Sequence, residues 1–305
     1  MFYSKKKITV ELVGGIGNQL FGYFAGVWIA SNLRLELKLD FENSVVSHTK
    51  AKASIQSLDL AFPYTVTVAK SKSVRKISRQ ILEKINYESD FFGSILNTLL
   101  GNYLDDMQYG GMNINLLEIL EKKKPRRVRG YFNSFEYFYK IPVQYQKINL
   151  RSKSPEFIGL MDDLKRTNPI MMHIRRGDYV ANKKTYGLLS KDYYLNAIEI
   201  VKTIRPDSPI WVFSDDSETT KRIIREIPDT EFRLVTIDEL ENPLETLILM
   251  SSGSAHILAN STFSQWAAVL GNSPLVICPK EYFADGRVNI DYPISSWIAI
   301  ESMWE

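Results

Sequence analysis

The chain has 305 residues, room for two ordinary domains. Apolar residues make up 45% and charged residues 24%, which excludes a disordered, collagen-like or small disulfide-stapled protein. The single cysteine, Cys278, excludes an internal disulfide, and a net charge of +3 is too weak to make nucleic acid the main partner.

Ile8–Val13 alternates and is β-branched, so it predicts a strand. Gly14-Gly15-Ile16-Gly17 predicts a turn, and Asn18–Ser31 a helix. Glycines between a strand and a helix let backbone N–H groups approach an anion, which the helix N-terminus also attracts. No Gly-Lys-Ser/Thr follows, so this is not a Walker A loop. Gly15 and Gly17 begin a dinucleotide fingerprint, but Leu20 stands where its third glycine belongs. Leu33–Asp40 alternates strictly and predicts a strand, with Asp40 near the place of a ribose-binding acid. Residues 41–124 are less regular; Tyr87, Phe91, Phe92, Tyr103 and Tyr109 offer rings to a sugar or to the core. Arg127–Phe132 predicts a further strand.

Beyond a linker near Arg151–Pro155 the alternation is regular. Strands are predicted at Pro169–Ile174, Ile210–Ser214, Phe232–Val235, His256–Ala259 and Leu275–Cys278. Helices are predicted at Lys191–Ile204, Glu218–Ile227, Pro243–Ser252 and Phe263–Leu270. This is the pattern of βαβ units on a parallel sheet. Two Rossmann-like halves are expected, residues 1–152 and 153–305, with a ligand in a cleft outside the carboxyl ends of the strands.

Three strand ends carry polar residues suited to such a ligand. His173-Ile174-Arg175-Arg176-Gly177-Asp178-Tyr179 leaves an apolar strand. Alternation puts His173 and Arg175 on one face and turns Arg176 toward an internal carboxylate. Arginine suits bidentate contact with a phosphate. Ser214-Asp215-Asp216 offers carboxylates for a ribose hydroxyl or a helix cap, and Ser261-Thr262-Phe263-Ser264 offers hydroxyls and amides at a helix start. His48, His173 and His256 are too scattered for a metal cluster, and no Ser–His–Asp or Cys–His arrangement is readable. No transmembrane stretch or signal peptide is visible. Residues 1–150 hold 21 Lys+Arg against 13 Asp+Glu, and the rest 17 against 22. Basic clusters such as Lys5–Lys7 and Lys122–Arg129 would suit exposed loops or an anionic membrane surface.

GGIGNQLFGYFAG at 14–26, GYFNSFEYF at 130–138, HIRRGDY at 173–179, WVFSDD at 211–216 and LMSSGSAHILANSTFSQWAAVLG at 249–271 occur in this order. Together they resemble the α-1,2-fucosyltransferases of glycosyltransferase family 11, bacterial type. The resemblance implies a GT-B fold with an acceptor-side first domain and a donor-binding second domain. It implies transfer of L-fucose, with inversion, from GDP-β-L-fucose to the 2-hydroxyl of a terminal β-galactose. It implies no metal or other cofactor. By the same carry-over Arg175 would hold the β-phosphate, with His173 near the nucleotide. Asn18, with Gly15, Gly17 and Gln19, would contact the phosphate or fucose side. Ser261, Thr262, Phe263 and Ser264 would line the pyrophosphate, and Asp215 and Asp216 follow an acidic donor-side motif. Glu245 would stand in for the acid that reads guanine, from one position away, and Gln265 precedes a single Trp266 where two tryptophans are usual. Asp178 is the candidate base. The acceptor would be a glycan, free or lipid-linked, and the location cytoplasmic, with peripheral contact at the inner face of the plasma membrane. Two other readings stay open: a dinucleotide-dependent oxidoreductase resting on Gly15, Gly17 and Asp40, and a non-catalytic nucleotide-sugar binder.

Overall fold

The computed structural model describes residues 6–41, 54–66, 103–106, 115–123, 126–236, 239–289 and 291–305. Tyr87, Phe91, Phe92 and Tyr109 lie outside the described residues. The chain divides into two compact units, Met1–Val45 with Asp59–Asn149, and Val46–Leu58 with Leu150–Glu305.

In the first unit, β1 (Lys7–Glu11) runs into helix α1 (Ile16–Leu33) and then β2 (Glu36–Asp40). The expected strand from Leu33 starts three residues late, because α1 continues through Leu33 and ends on Arg34 in the left-handed conformation (φ 54°). Gly22 and Gly26 let α1 lie close on the sheet. A Cβ on Gly22 would stand 2.9 Å from Leu12, and one on Gly26 2.9 Å from Val10 and 3.0 Å from Leu37. They give the close helix–strand packing that a glycine in place of Leu20 would otherwise supply. Past β3 (Leu58–Leu60), β4 (Tyr64–Val66), β5 (Tyr103–Asp106) and α2 (Leu116–Lys123) comes β6 (Arg127–Gly130) and the short α3 (Glu136–Tyr139). Rings of α3 and the residue before it pack on α1: Phe21 with Phe135, Phe24 with Phe138 and Trp28 with Tyr137, at 4.7, 4.8 and 5.2 Å between centroids. The sheet order is β4-β2-β1-β6-β5, all parallel. β7 (Ile148–Leu150) pairs with β3 in a separate ribbon.

The second unit opens with α4 (Pro155–Thr167), whose N-cap Ser154 accepts a hydrogen bond from the Phe157 N–H. Then follow β8 (Ile170–Ile174), α5 (Gly177–Ala181), α6 (Lys183–Tyr186), α7 (Lys191–Ile204), β9 (Ile210–Ser214) and α8 (Ser217–Arg225). β10 (Phe232–Val235), α9 (Pro243–Ser251), β11 (Ala255–Ile257), α10 (Thr262–Leu270), β12 (Val276–Pro279) and β13 (Ile298–Ile300) complete it. The sheet order is β10-β9-β8-β11-β12-β13, again all parallel. β8 and β11 are buried throughout, as central strands of a covered parallel sheet must be. Ile170, Met172, Tyr193, Ala197, Val212 and Ile257 form the heart of this unit's core.

The strand orders locate the chemistry. From β8 the chain builds outward through β9 to β10, then returns to the other side of β8 for β11 and builds outward again. Connections that leave two adjacent parallel strands in opposite directions open a crevice at their carboxyl ends, where open α/β sheets bind ligands. In the second unit that point lies between β8 and β11. In the first unit β1 and β6 are neighbours, and their carboxyl ends are followed by the 14–19 and 130–138 segments.

Candidate active site

β8 ends at Ile174, and the next residues turn sharply into α5. Arg175 is held by two carboxylates. Its Nη1 is 2.9 Å from Asp215 Oδ2, and its Nη2 donates to Asp178. Asp215 also accepts the Arg176 backbone N–H on Oδ1 at 2.9 Å. A Cβ on Gly177 would overlap Asp215 Oδ2, so this approach of Asp215 to the turn requires glycine at 177. Burial works against the charge on Arg175, but Asp215 and Asp178 outweigh it and hold its pKa above the ordinary value. The guanidinium therefore stays charged.

His173, one turn of alternation earlier, is 4% exposed, and its ring lies 5.8 Å from that of Phe263. Burial first, and then the Arg175 charge, push its pKa down to about 3. It is a neutral imidazole whose Nδ1 has no hydrogen-bond partner among the described residues. A buried polar atom left this way costs free energy unless something meets it.

The loop after β11 supplies the other wall. Ser261 is the N-cap of α10, and its own side chain does not cap that helix. The Thr262 N–H is taken by the Tyr282 hydroxyl. Phe263 turns its ring toward His173, whereas the Ser264 hydroxyl is buried and bonded back to the Ser261 carbonyl at 3.1 Å. Ser264 thus brings its amide, not its hydroxyl, to the helix end. Tyr179, to which sequence reasoning gave no role, ties the two loops together. Its hydroxyl donates to the Asn260 carbonyl at 2.9 Å, and its ring lies 5.3 Å from the Arg175 guanidinium carbon and stacks on Tyr186. The Asn260 side chain donates in turn to the Tyr186 and Tyr282 carbonyls.

The remaining residues singled out in this unit have local work. Asp216 caps α8, accepting from the Thr219 N–H at 3.0 Å. That hydrogen bond holds its pKa below the usual carboxylate value. Glu245 is buried, and its two oxygens accept from the Ser154 N–H and hydroxyl, each at 2.7 Å. Arg176 turns away from Arg175, as alternation predicts, and pairs with Glu305.

In the first unit, Gly14 has φ +71°, and a Cβ there would meet the Asn18 amide at 2.6 Å. Gln19 is buried and donates from Nε2 to the Gly14 carbonyl at 3.0 Å. Nothing stands within 4 Å of a Cβ built on Gly15, the uncapped N-cap of α1, and Gly17 lies in the first turn of that helix. Asn18 Oδ1 is buried without a hydrogen-bond partner among the described residues. Asp40 is 2% exposed and ion-paired with Arg127, so the acid that a dinucleotide ribose would need is already engaged. Among the described residues no three His, Cys, Asp or Glu side chains gather as metal ligands would, and no helix is long and apolar enough to cross a membrane.

Residues 118–301 match the sequence family described as Glycosyl transferase family 11. The chain belongs to that family. An α-1,2-colitosyltransferase of Escherichia coli is 29% identical, with 96% of this chain and 99% of that protein covered. The O-antigen biosynthesis glycosyltransferase WbnK of Escherichia coli is also 29% identical, covering 94% and 98%. Among solved structures, the NodZ α-1,6-fucosyltransferase co-crystallised with GDP superposes with a TM-score of 0.51 at 13% identity, covering 95% of this chain and all of that one. Arabidopsis thaliana FUT1 in complex with GDP gives 0.51 at 14% identity, covering 92% and 72%. The fold of this family 11 member is accordingly α/β of the GT-B class, and the protein is a glycosyltransferase that uses a nucleotide sugar. The oxidoreductase reading is thereby replaced.

Proposed function

We propose that this glycosyltransferase transfers L-fucose from GDP-β-L-fucose to the 2-hydroxyl of a terminal β-galactose, with inversion at the anomeric carbon. The observation that carries the reading is the crevice between β8 and β11: a charged arginine, a neutral buried histidine with an unmet nitrogen, and a helix N-terminus that its own N-cap side chain, Ser261, leaves open. Such a set matches a diphosphate. Arg175 meets the β-phosphate, and the Phe263 and Ser264 amides receive its oxygens. The acceptor oxygen bonds to C1 as the C1–O bond to phosphate breaks, its electron pair staying with GDP. The acceptor hydroxyl releases its proton to solvent or to a carboxylate. Charge grows on the leaving oxygen, where fixed donors are most effective. No metal is assigned to this step. Asp178 and Asp215 act as counter-ions that orient Arg175. In the first unit we assign the Gly14–Gln19 loop, with Asn18, Gly15 and Gly17, to the substrates as well.

The relative named α-1,2-colitosyltransferase favours a second reading in which the donor is GDP-colitose. That sugar is L-fucose without its 3-hydroxyl, so the leaving group and the linkage are unchanged. A glycan acceptor on a lipid carrier would suit the basic excess of residues 1–150 and work at the inner face of the plasma membrane. Incubation of GDP-fucose and GDP-colitose with a panel of β-galactosides, followed by linkage analysis and GDP release, tests both readings. A 2-linked fucosyl product supports the first, and a colitosyl product alone supports the second. GDP binding without transfer to any acceptor returns the protein to a non-catalytic binder.

A further inference from the structure

Arg176 is the larger puzzle of the β8 turn. It is 1% exposed, and a guanidinium so buried requires a counter-charge. Among the described residues its paired acid is Glu305, with Oε1 2.8 Å from Nη1. Its Nη2 donates to the Leu189 carbonyl at 2.8 Å. Residues 303–305 are laid antiparallel on 188–190. The Ser190 N–H donates to the Met303 carbonyl and the Glu305 N–H to the Leu188 carbonyl, each at 2.8 Å, and Trp304 bridges Leu189. The Trp304 ring covers Gly187 so closely that a Cβ there would overlap it. The Arg176 backbone is also the group that Asp215 grips, and the other oxygen of Asp215 grips Arg175. An unbroken line of polar contacts therefore runs from Glu305 through Arg176 and Asp215 to Arg175, all within the second unit.

We propose that Glu305 is a positioning residue: by neutralising Arg176 it fixes the turn from which Arg175 is presented to the donor. The 303–305 segment is a latch on the back of the site, and its release loosens the grip on phosphate without touching it. The importance of Arg175 rests on the donor reading above; the placement of the latch does not.

The test is Glu305→Gln, which keeps the shape and removes the charge, with Trp304→Ala as a second variant that loosens the segment without altering charge. Two quantities are read: amide hydrogen exchange across 174–180 in the unliganded protein, and affinity for GDP. Both variants should speed exchange of the Arg176, Tyr179 and Val180 amides while leaving helix Lys191–Ile204 protected, and weaken GDP binding by about tenfold. Val201→Ala, a core truncation in that helix, serves as the control for simple destabilisation. Unchanged exchange at 174–180, or a rise spread over the unit as in Val201→Ala, overturns the latch. Local loosening in a protein that binds no GDP even as wild type supports the latch and removes the donor reading instead.

Discussion

At the scale of single residues, the site is organised by what holds Arg175 rather than by Arg175 alone. Two carboxylates keep its fork charged and oriented, and the missing Cβ of Gly177 is what lets one of them close in. A lysine at 175 would keep the charge but lose the planar pair of donors. Arg175→Lys and Arg175→Ala are therefore both expected to lower the rate of transfer by ~10²–10³, the usual loss when a donor acting mainly in the transition state is removed. The measurement is kcat/KM for GDP-fucose beside a thermal melt that shows the variant folded. Near-normal turnover by the lysine variant would sink the role given to the guanidinium. The alternation rule made the division between Arg175 and Arg176 legible from sequence. It could not name Glu305 as the partner of Arg176, because local periodicity says nothing about which distant segment closes over a residue.

At the scale of elements, two acids expected to touch the donor hold helix ends. Asp216 caps α8, and removing an N-cap carboxylate costs about 1 kcal/mol. Asp216→Ala should lower the unfolding free energy from urea titration by that amount and leave KM for the donor unchanged; a rise in KM would return it to the ribose. Glu245 meets Ser154 at the start of α4, from 91 positions away in sequence. Glu245→Gln should lower stability by about 1–3 kcal/mol, as when a buried acceptor is lost. The preference for GDP over ADP, compared by competition binding, should stay as it is; loss of that preference would make the residue a guanine reader after all. The elements themselves were largely legible. Lys191–Ile204 and Ile210–Ser214 stand where their patterns put them, because a helix stripe or a fully buried strand leaves little freedom. Boundaries failed where a pattern outlived its element, as at Leu33–Asp40, where the alternation began inside the last turn of α1. The Ser154–Glu245 contact carried no sequence signal, since it depends on two loops meeting in three dimensions.

At the scale of the molecule, each unit places its polar motifs at the carboxyl ends of its parallel strands, and this was readable in outline from the βαβ rhythm. The strand orders were not, because nothing local distinguishes a neighbour from a next-but-one neighbour. One consequence concerns the second unit as a folded body. It buries two imidazoles, His173 and His256, both neutral. Burial, strengthened by Arg175, takes the first down to about 3. Burial takes the second to about 4, against the opposing effect of its hydrogen bond to the Met250 carbonyl. In the unfolded chain each titrates near the ordinary histidine value of ~6.5. Above that pH neither state takes up the proton, and the stability is complete. As the pH falls below it, the unfolded chain binds protons that the native state refuses, so stability drains away until the native values are reached. The loss by pH 5 is on the order of 2 kcal/mol for each histidine. Carboxylates such as Asp216 add to it only at lower pH. Melting temperature should therefore be flat from pH 8 to about 6.5 and then fall, before carboxylate titration begins. His256→Gln, which lies away from the crevice and keeps a hydrogen-bonding side chain, should make that fall shallower. A melting temperature unchanged between pH 7 and 5 would show that the imidazoles are hydrated, and the neutral, buried His173 placed beside Arg175 in the crevice would lose its physical basis.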